Sequence, residues 1–73
     1  MKMSMLKEGE SAVIKELQCE NAFAVRLRDM GFVEGERVEC KKIAALSSPV
    51  LYRVKGADIA LRTGDAEKLE VSL

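Results

Sequence analysis

Two cysteines and two arginines are the side chains of this sequence with the most chemical reach. Cys19 and Cys40 stand 21 residues apart. As thiolates they could ligate a metal, with Glu20 or Glu39 adding the oxygen donors of a mixed set that a divalent transition metal tolerates. The competing reading is packing. Cys40 alternates with charged residues as a strand's core position does, and a free cysteine behaves as a small hydrophobe. The chain has no histidine, and two cysteines outside a CxxC pair fall short of the four ligands a structural zinc site takes. The expectation is no resident metal and no cofactor, with Cys19 and Cys40 kept as minor metal candidates. Arg26 or Arg28 could act as an arginine finger, which sets a guanidinium on the charge developing at a γ-phosphate. No GxxxxGK[ST] loop and no nucleophile beside a base accompanies them, so the chain reads as a non-enzyme and Arg28-Asp29 as a solvated charge pair.

Binding is the other chemistry on offer. Val25 falls on the outer side of a short helix among Arg28 and Asp29, and an exposed apolar residue ringed by charge can centre a contact. Single exposed valines are also ordinary. Leu46, in a loop, is a second apolar candidate; it could equally cap one end of the core. Val25, Arg28, Asp29 and Leu46 are the candidate partner-binding residues.

Charge narrows the partners. Lys plus Arg and Asp plus Glu number 12 each, which disfavours the non-specific nucleic-acid binding that a basic surface drives. Residues 22–62 carry eight basic and five acidic groups, a weakly basic middle that reads as solvated surface. Lys2, Lys7 and Glu8 interrupt any apolar run near the start, so no signal peptide is read. No run approaches the roughly 18–20 apolar residues of a membrane span. The expected setting is cytoplasmic, with reduced thiols.

These side chains must be positioned by a small β protein, read as one domain over residues 1–73. Gly9 marks a first turn, and Ala12 to Leu17 a strand. There Ala12, Ile14 and Glu16 share one face and Val13, Lys15 and Leu17 the other; the pattern is imperfect, as in a strand that bends. A helix follows over about Ala22 to Met30, with Asn21 as its cap and Gly31 and Phe32 as its stop. Phe23, Leu27 and Met30 form its core stripe by i, i+4, i+7 spacing. Val33 to Glu36 is a turn with Gly35 at the positive-φ position. Arg37–Ile43 reads as a strand whose alternation slips near Lys41, and residues 44–49 as a connection closed by Pro49. Val50–Val54 faces inward through Val50, Tyr52 and Val54. Lys55 to Asp58 is a hairpin turn carried by Gly56, and Ile59 to Arg62 a fourth strand. Thr63 caps a helical turn, and Leu69 to Val71 is a last strand. About five strands, one inserted helix and a helical turn predict a mainly β, small SH3-like barrel.

The residues Leu6-x-x-Gly9-Glu10-x-Ala12, Arg26-Leu27-x-Asp29-Met30-Gly31-Phe32-x-x-Gly35, Pro49-Val50-x-Tyr52-x-Val54-x-Gly56, Ile59-Ala60-Leu61-Arg62 and Ala66-x-x-Leu69-x-Val71 resemble the FeoA family, small cytoplasmic accessory proteins of bacterial ferrous-iron transport. The second segment is the diagnostic one. Glu34 departs from the proline the family commonly places before the turn glycine. The resemblance implies an SH3-like fold and a role beside FeoB, the large membrane transporter with a cytoplasmic GTP-binding domain, which the family is thought to bind and modulate. No insertion into the membrane and no nucleic acid is expected, and homo-oligomerisation stays open. The alternative is a transition-metal-binding or sensing domain, since similar domains are appended to metal-dependent repressors. A chain of 73 residues has no room for their winged helix.

Overall fold

The computed structural model describes residues 1–19 and 21–73, and Asn21 by its backbone alone. The cap read at Asn21 and the ligand candidate Glu20 lie outside the described residues. Strands β1 (Ser11–Leu17), β2 (Arg37–Ile43), β3 (Val50–Val54), β4 (Ala57–Leu61) and β5 (Leu69–Ser72) form one antiparallel sheet in the order β4-β3-β2-β1-β5. Helix α1 (Asn21–Asp29) enters between β1 and β2, and a single helical turn, α2 (Thr63–Ala66), between β4 and β5. A 3-10 turn at Met3–Met5 packs against α2 and β5.

Alternation explains which side of each strand is dry. Val50, Tyr52 and Val54 are buried along β3, as are Val38 and Cys40 on β2. Two bulges then bend the sheet. In β1 the register shifts between Ile14 and Glu16, so Leu17 joins Ala12 and Ile14 in the core. This corrects the expected assignment of Leu17 to the opposite face, because an extra residue in the strand advances the alternation by one. In β2 the shift falls between Cys40 and Lys42, where the sequence pattern slips. There the Ile43 N–H donates to a Glu8 carboxylate oxygen at 2.7 Å.

The β3–β4 turn is tighter than expected. Val54 pairs directly with Ala57, leaving Lys55 and Gly56 as a two-residue loop with φ of 51° and 78°, the left-handed pair of a type I′ hairpin. The expected side-chain cap by Thr63 is absent. Its hydroxyl instead donates to the Ser47 carbonyl at 2.7 Å, which ties the start of α2 to the β2–β3 loop. The 3-10 turn was missed: Met3 and Leu6 are both buried, and the Tyr52 hydroxyl donates to the Met3 carbonyl at 3.3 Å.

Helix α1 ends as its sequence dictates. Phe32 N–H reaches the Leu27 carbonyl at 2.9 Å and Gly31 N–H the Arg28 carbonyl at 3.0 Å, the two reverse bonds of a Schellman cap. Gly31 has φ +111°, and a Cβ there would meet Val54 Cγ1 at 3.5 Å, an ordinary contact. Strain, not space, therefore sets the penalty of a side chain. Gly31→Val is expected to lose about 1–3 kcal/mol of stability, more than Gly31→Ala, because a β-branched residue resists positive φ most. Denaturant titration of both variants checks the order.

Candidate functional site

The inner side of α1 is set by Leu27. It is fully buried, with Ala24 beside it and Phe32 beyond the cap. Phe23 is half-buried against this cluster, and the Lys68 ammonium lies 4.7 Å from its ring centroid, a cation–π contact that holds the helix to the segment before β5. Met30 does not belong to the core stripe; it is 37% exposed. The helical spacing that placed it inward stops at Asp29, and the chain then reverses through Gly31. Phe32 takes the buried position instead.

The outer side of α1 therefore carries more apolar surface than expected. Val25 is 55% exposed, and Ala22, Arg26, Arg28, Asp29 and Met30 are exposed with it. Met30 follows directly after the helix's last residue. Arg28 does not pair with Asp29. Its guanidinium donates to a Glu34 carboxylate oxygen at 3.2 Å, since the reversal at Gly31 and the following turn from Val33 to Glu36 fold the chain back over the helix end. That hydrogen bond holds the Glu34 carboxyl below its usual range and raises the Arg28 pKa. Both groups are exposed, so the pair orients the arginine and adds little stability. The signal for it was present: Glu34 is the one noted departure from the resembled pattern.

Leu46 is 91% exposed, which rules out a role as a plug of the core. Its loop is braced on both sides of the tip. Ser47 N–H donates to the Ala44 carbonyl at 2.8 Å, and Thr63 N–H donates to Ser48 Oγ at 3.3 Å. The structure does not bring Leu46 to Val25. The Leu46 loop leads into Val50, the first residue of β3, whereas Gly31, at the end of α1, packs beside Val54, the last. The four candidate partner-binding residues thus fall into two separate places, one on α1 and one on the β2–β3 loop.

The two cysteines are also kept apart. Cys40 N–H donates to the Glu10 carbonyl at 2.9 Å, just before β1 begins, while Cys19 follows the end of β1. The length of that strand, on the order of 20 Å of extended chain, lies between them. Burial pushes the Cys40 thiol pKa up, and the nearby carboxylates of Glu8, Glu10 and Glu39 push it further. That favours the neutral thiol over a metal-binding thiolate. Among the described residues no group of three or more His, Cys, Asp or Glu side chains could hold a metal ion, and no helix is long and apolar enough to cross a membrane.

A bent five-stranded antiparallel sheet, with one helix between its first two strands and a helical turn before its last, defines a small SH3-like barrel. The family model for the FeoA domain matches residues 1–73, and the chain belongs to the FeoA family. It is 38% identical over 73 residues to an Fe(2+) transport protein A/Fe(2+) transporter FeoB fusion protein of Porphyromonas gingivalis, all of this chain matching 9% of that protein's length. It superposes on the solution structure of iron(II) transport protein A from Clostridium thermocellum with a TM-score of 0.96 at 36% identity, covering 100% of this chain and 45% of that one. Stenotrophomonas maltophilia FeoA, a prokaryotic SH3 domain protein complexed with zinc, matches with a TM-score of 0.82 at 34% identity, covering 99% of this chain and 89% of that one. The IdeR protein of T. acidophilum shares the fold, at 19% identity and a TM-score of 0.86, over 33% of its own length.

Proposed function

We infer that this chain is a non-enzymatic interaction module of ferrous-iron transport, which binds a FeoB-type GTP-binding membrane transporter on its cytoplasmic side and modulates it. The observation that carries this reading is the fusion in P. gingivalis, where a relative of the chain is joined to a FeoB transporter in one polypeptide. Covalent linkage raises the effective concentration of one module at the other, which favours their contact wherever the linker can span the two sites. The outer side of α1 supports the reading from within the chain. Val25 and Met30 supply apolar area, and Arg26, Arg28 and Asp29 supply the charged rim. Glu34 biases the orientation of Arg28, which slightly reduces the side-chain freedom lost on binding. An arginine-finger role has weaker support: Arg28 is already engaged by Glu34, and for Arg26 exposure on the helix is all that speaks for it.

Capture of the full-length transporter from a detergent-solubilised membrane fraction by the tagged chain tests this. Val25→Glu should fold normally and bind at least about tenfold more weakly, since it buries a charge at the centre of the contact. Unaltered capture removes α1 from the surface, and a loss confined to Leu46→Glu moves the contact to the β2–β3 loop. Capture of no transporter by the unsubstituted chain refutes the reading itself.

A further inference from the structure

The two edges of the sheet are finished differently. On β5, Lys2 bridges to Glu70 and the Val71 N–H donates to the Met1 carbonyl at 2.7 Å, so the N-terminal segment covers that edge. On β4 nothing equivalent occurs among the described residues. The two-residue turn makes Val54 and Ala57 a hydrogen-bonded pair, and alternation then assigns Ile59 and Leu61 to bonds with β3. Asp58 and Ala60, the non-bonded partners of Arg53 and Leu51, turn their N–H and C=O groups away from the sheet. No other backbone group among the described residues meets them. An apolar groove of about 280 Å³ opens beside the same edge, on the outer face of the sheet, lined by Lys42, Ala44, Pro49, Leu51 and Ala60. Ala60 is therefore both edge and groove wall.

Charge says what fits there. Lys55 and Arg62 bracket β4, and Lys42 closes the far side of the groove. Among the described residues none of the three has an ion-pair partner, whereas Asp58, the edge's own acid, is held by Arg53 at 2.7 Å. We propose that β4 is a strand-docking edge: an extended segment of an acidic protein partner adds to β4 through the backbone of Asp58 and Ala60, sets one apolar side chain into the groove, and sets acids two positions before and after it, on the same face of the segment, toward the basic groups Lys42, Lys55 and Arg62. A second copy of this chain is the wrong occupant, because antiparallel pairing of two β4 edges would bring the Lys55 end of each beside the Arg62 end of the other, cation near cation. The short strand and its charges deter indiscriminate pairing. The proposal is independent of the role given to α1.

Amide spectra of the ¹⁵N-labelled chain, titrated with a capped synthetic peptide of sequence glutamate-threonine-valine-threonine-glutamate, matching β4 in length with its valine and glutamates on one face, test it. Saturable shifts and slowed hydrogen exchange are expected at the amides of Asp58 and Ala60. The same peptide with lysine for glutamate should bind at least about tenfold more weakly. Ala60→Pro removes an outward N–H that β3 does not use, a substitution edge strands tolerate, and should weaken binding by about tenfold or more. Lys42→Glu, on the outer face, should weaken it too and serves if the proline variant fails to fold. Equal binding of the lysine peptide, shifts confined to α1, no saturable shift, or concentration-dependent shifts at β4 without peptide would each overturn the proposal.

Discussion

Leu27→Ala is expected to destabilise the protein by roughly 2–5 kcal/mol, the range for removing a fully buried leucine side chain. Leu27 has no exposed surface and is the only leucine of α1. It also accepts the Phe32 N–H that closes the helix, so a cavity there loosens the cap and the core at one point. A chain of 73 residues has a total stability of roughly 4–11 kcal/mol at the usual value per residue. The loss would therefore take a large share of it and leave a variant partly unfolded at room temperature. Met30→Ala is the internal comparison. Met30, at the same helix end, is 37% exposed, and its truncation should cost about 1 kcal/mol or less, since only part of its side chain is covered. Urea titrations of both variants, with unchanged slope, give the contrast. A loss below about 1 kcal/mol for Leu27→Ala would mean that α1 is turned differently on the sheet.

That contrast marks what the sequence disclosed and what it hid. The bounds of β2 and β3, the stop at Gly31 and the slip in β2 were legible because each rests on local chemistry: alternation, a positive-φ glycine, a broken period. Met30 was misplaced because a period of 3.6 was carried one residue past the end of the helix. Leu17 was misplaced because a bulge advances alternation without leaving a mark in composition. The 3-10 turn at Met3–Met5 was not legible, since its burial depends on Tyr52 and β5, far along the chain. The candidate site shows the same division. Exposure of Val25 followed from the helical period, whereas that of Leu46, for which the sequence left plug and contact equally open, did not, and their separation to opposite ends of β3 is a property of pairing. The Arg28–Glu34 contact needed both reversals to be composed in three dimensions. The open edge of β4 depended on strand order, which no local signal carries.

Tyr52 turns that long-range packing into a measurable quantity. It is fully buried at the middle of β3, and burial, with a smaller contribution from the Cys40 thiolate, pushes its phenol pKa up to about 12. An unfolded tyrosine ionises near about 10. The folded state thus holds the proton more tightly than the unfolded state, and the sign of the linkage follows. Below pH 10 this group's contribution to stability is fully present. As pH rises from about 10 to about 12 the unfolded chain ionises first, and stability falls by about 2–3 kcal/mol. Tyr52 is the only tyrosine in the chain and tryptophan is absent, so tyrosinate absorbance reports it directly. The folded protein should titrate near 12 and the denatured chain near 10. The effect is read as the difference between the parent and Tyr52→Phe, which cancels the groups the two proteins share. The variant should lose about 1 kcal/mol at neutral pH with the bond to the Met3 carbonyl, and should then lack the additional alkaline loss. A folded-state midpoint near 10 would place the Tyr52 hydroxyl in water, and with it would go the packing of the Met3–Met5 turn against the sheet.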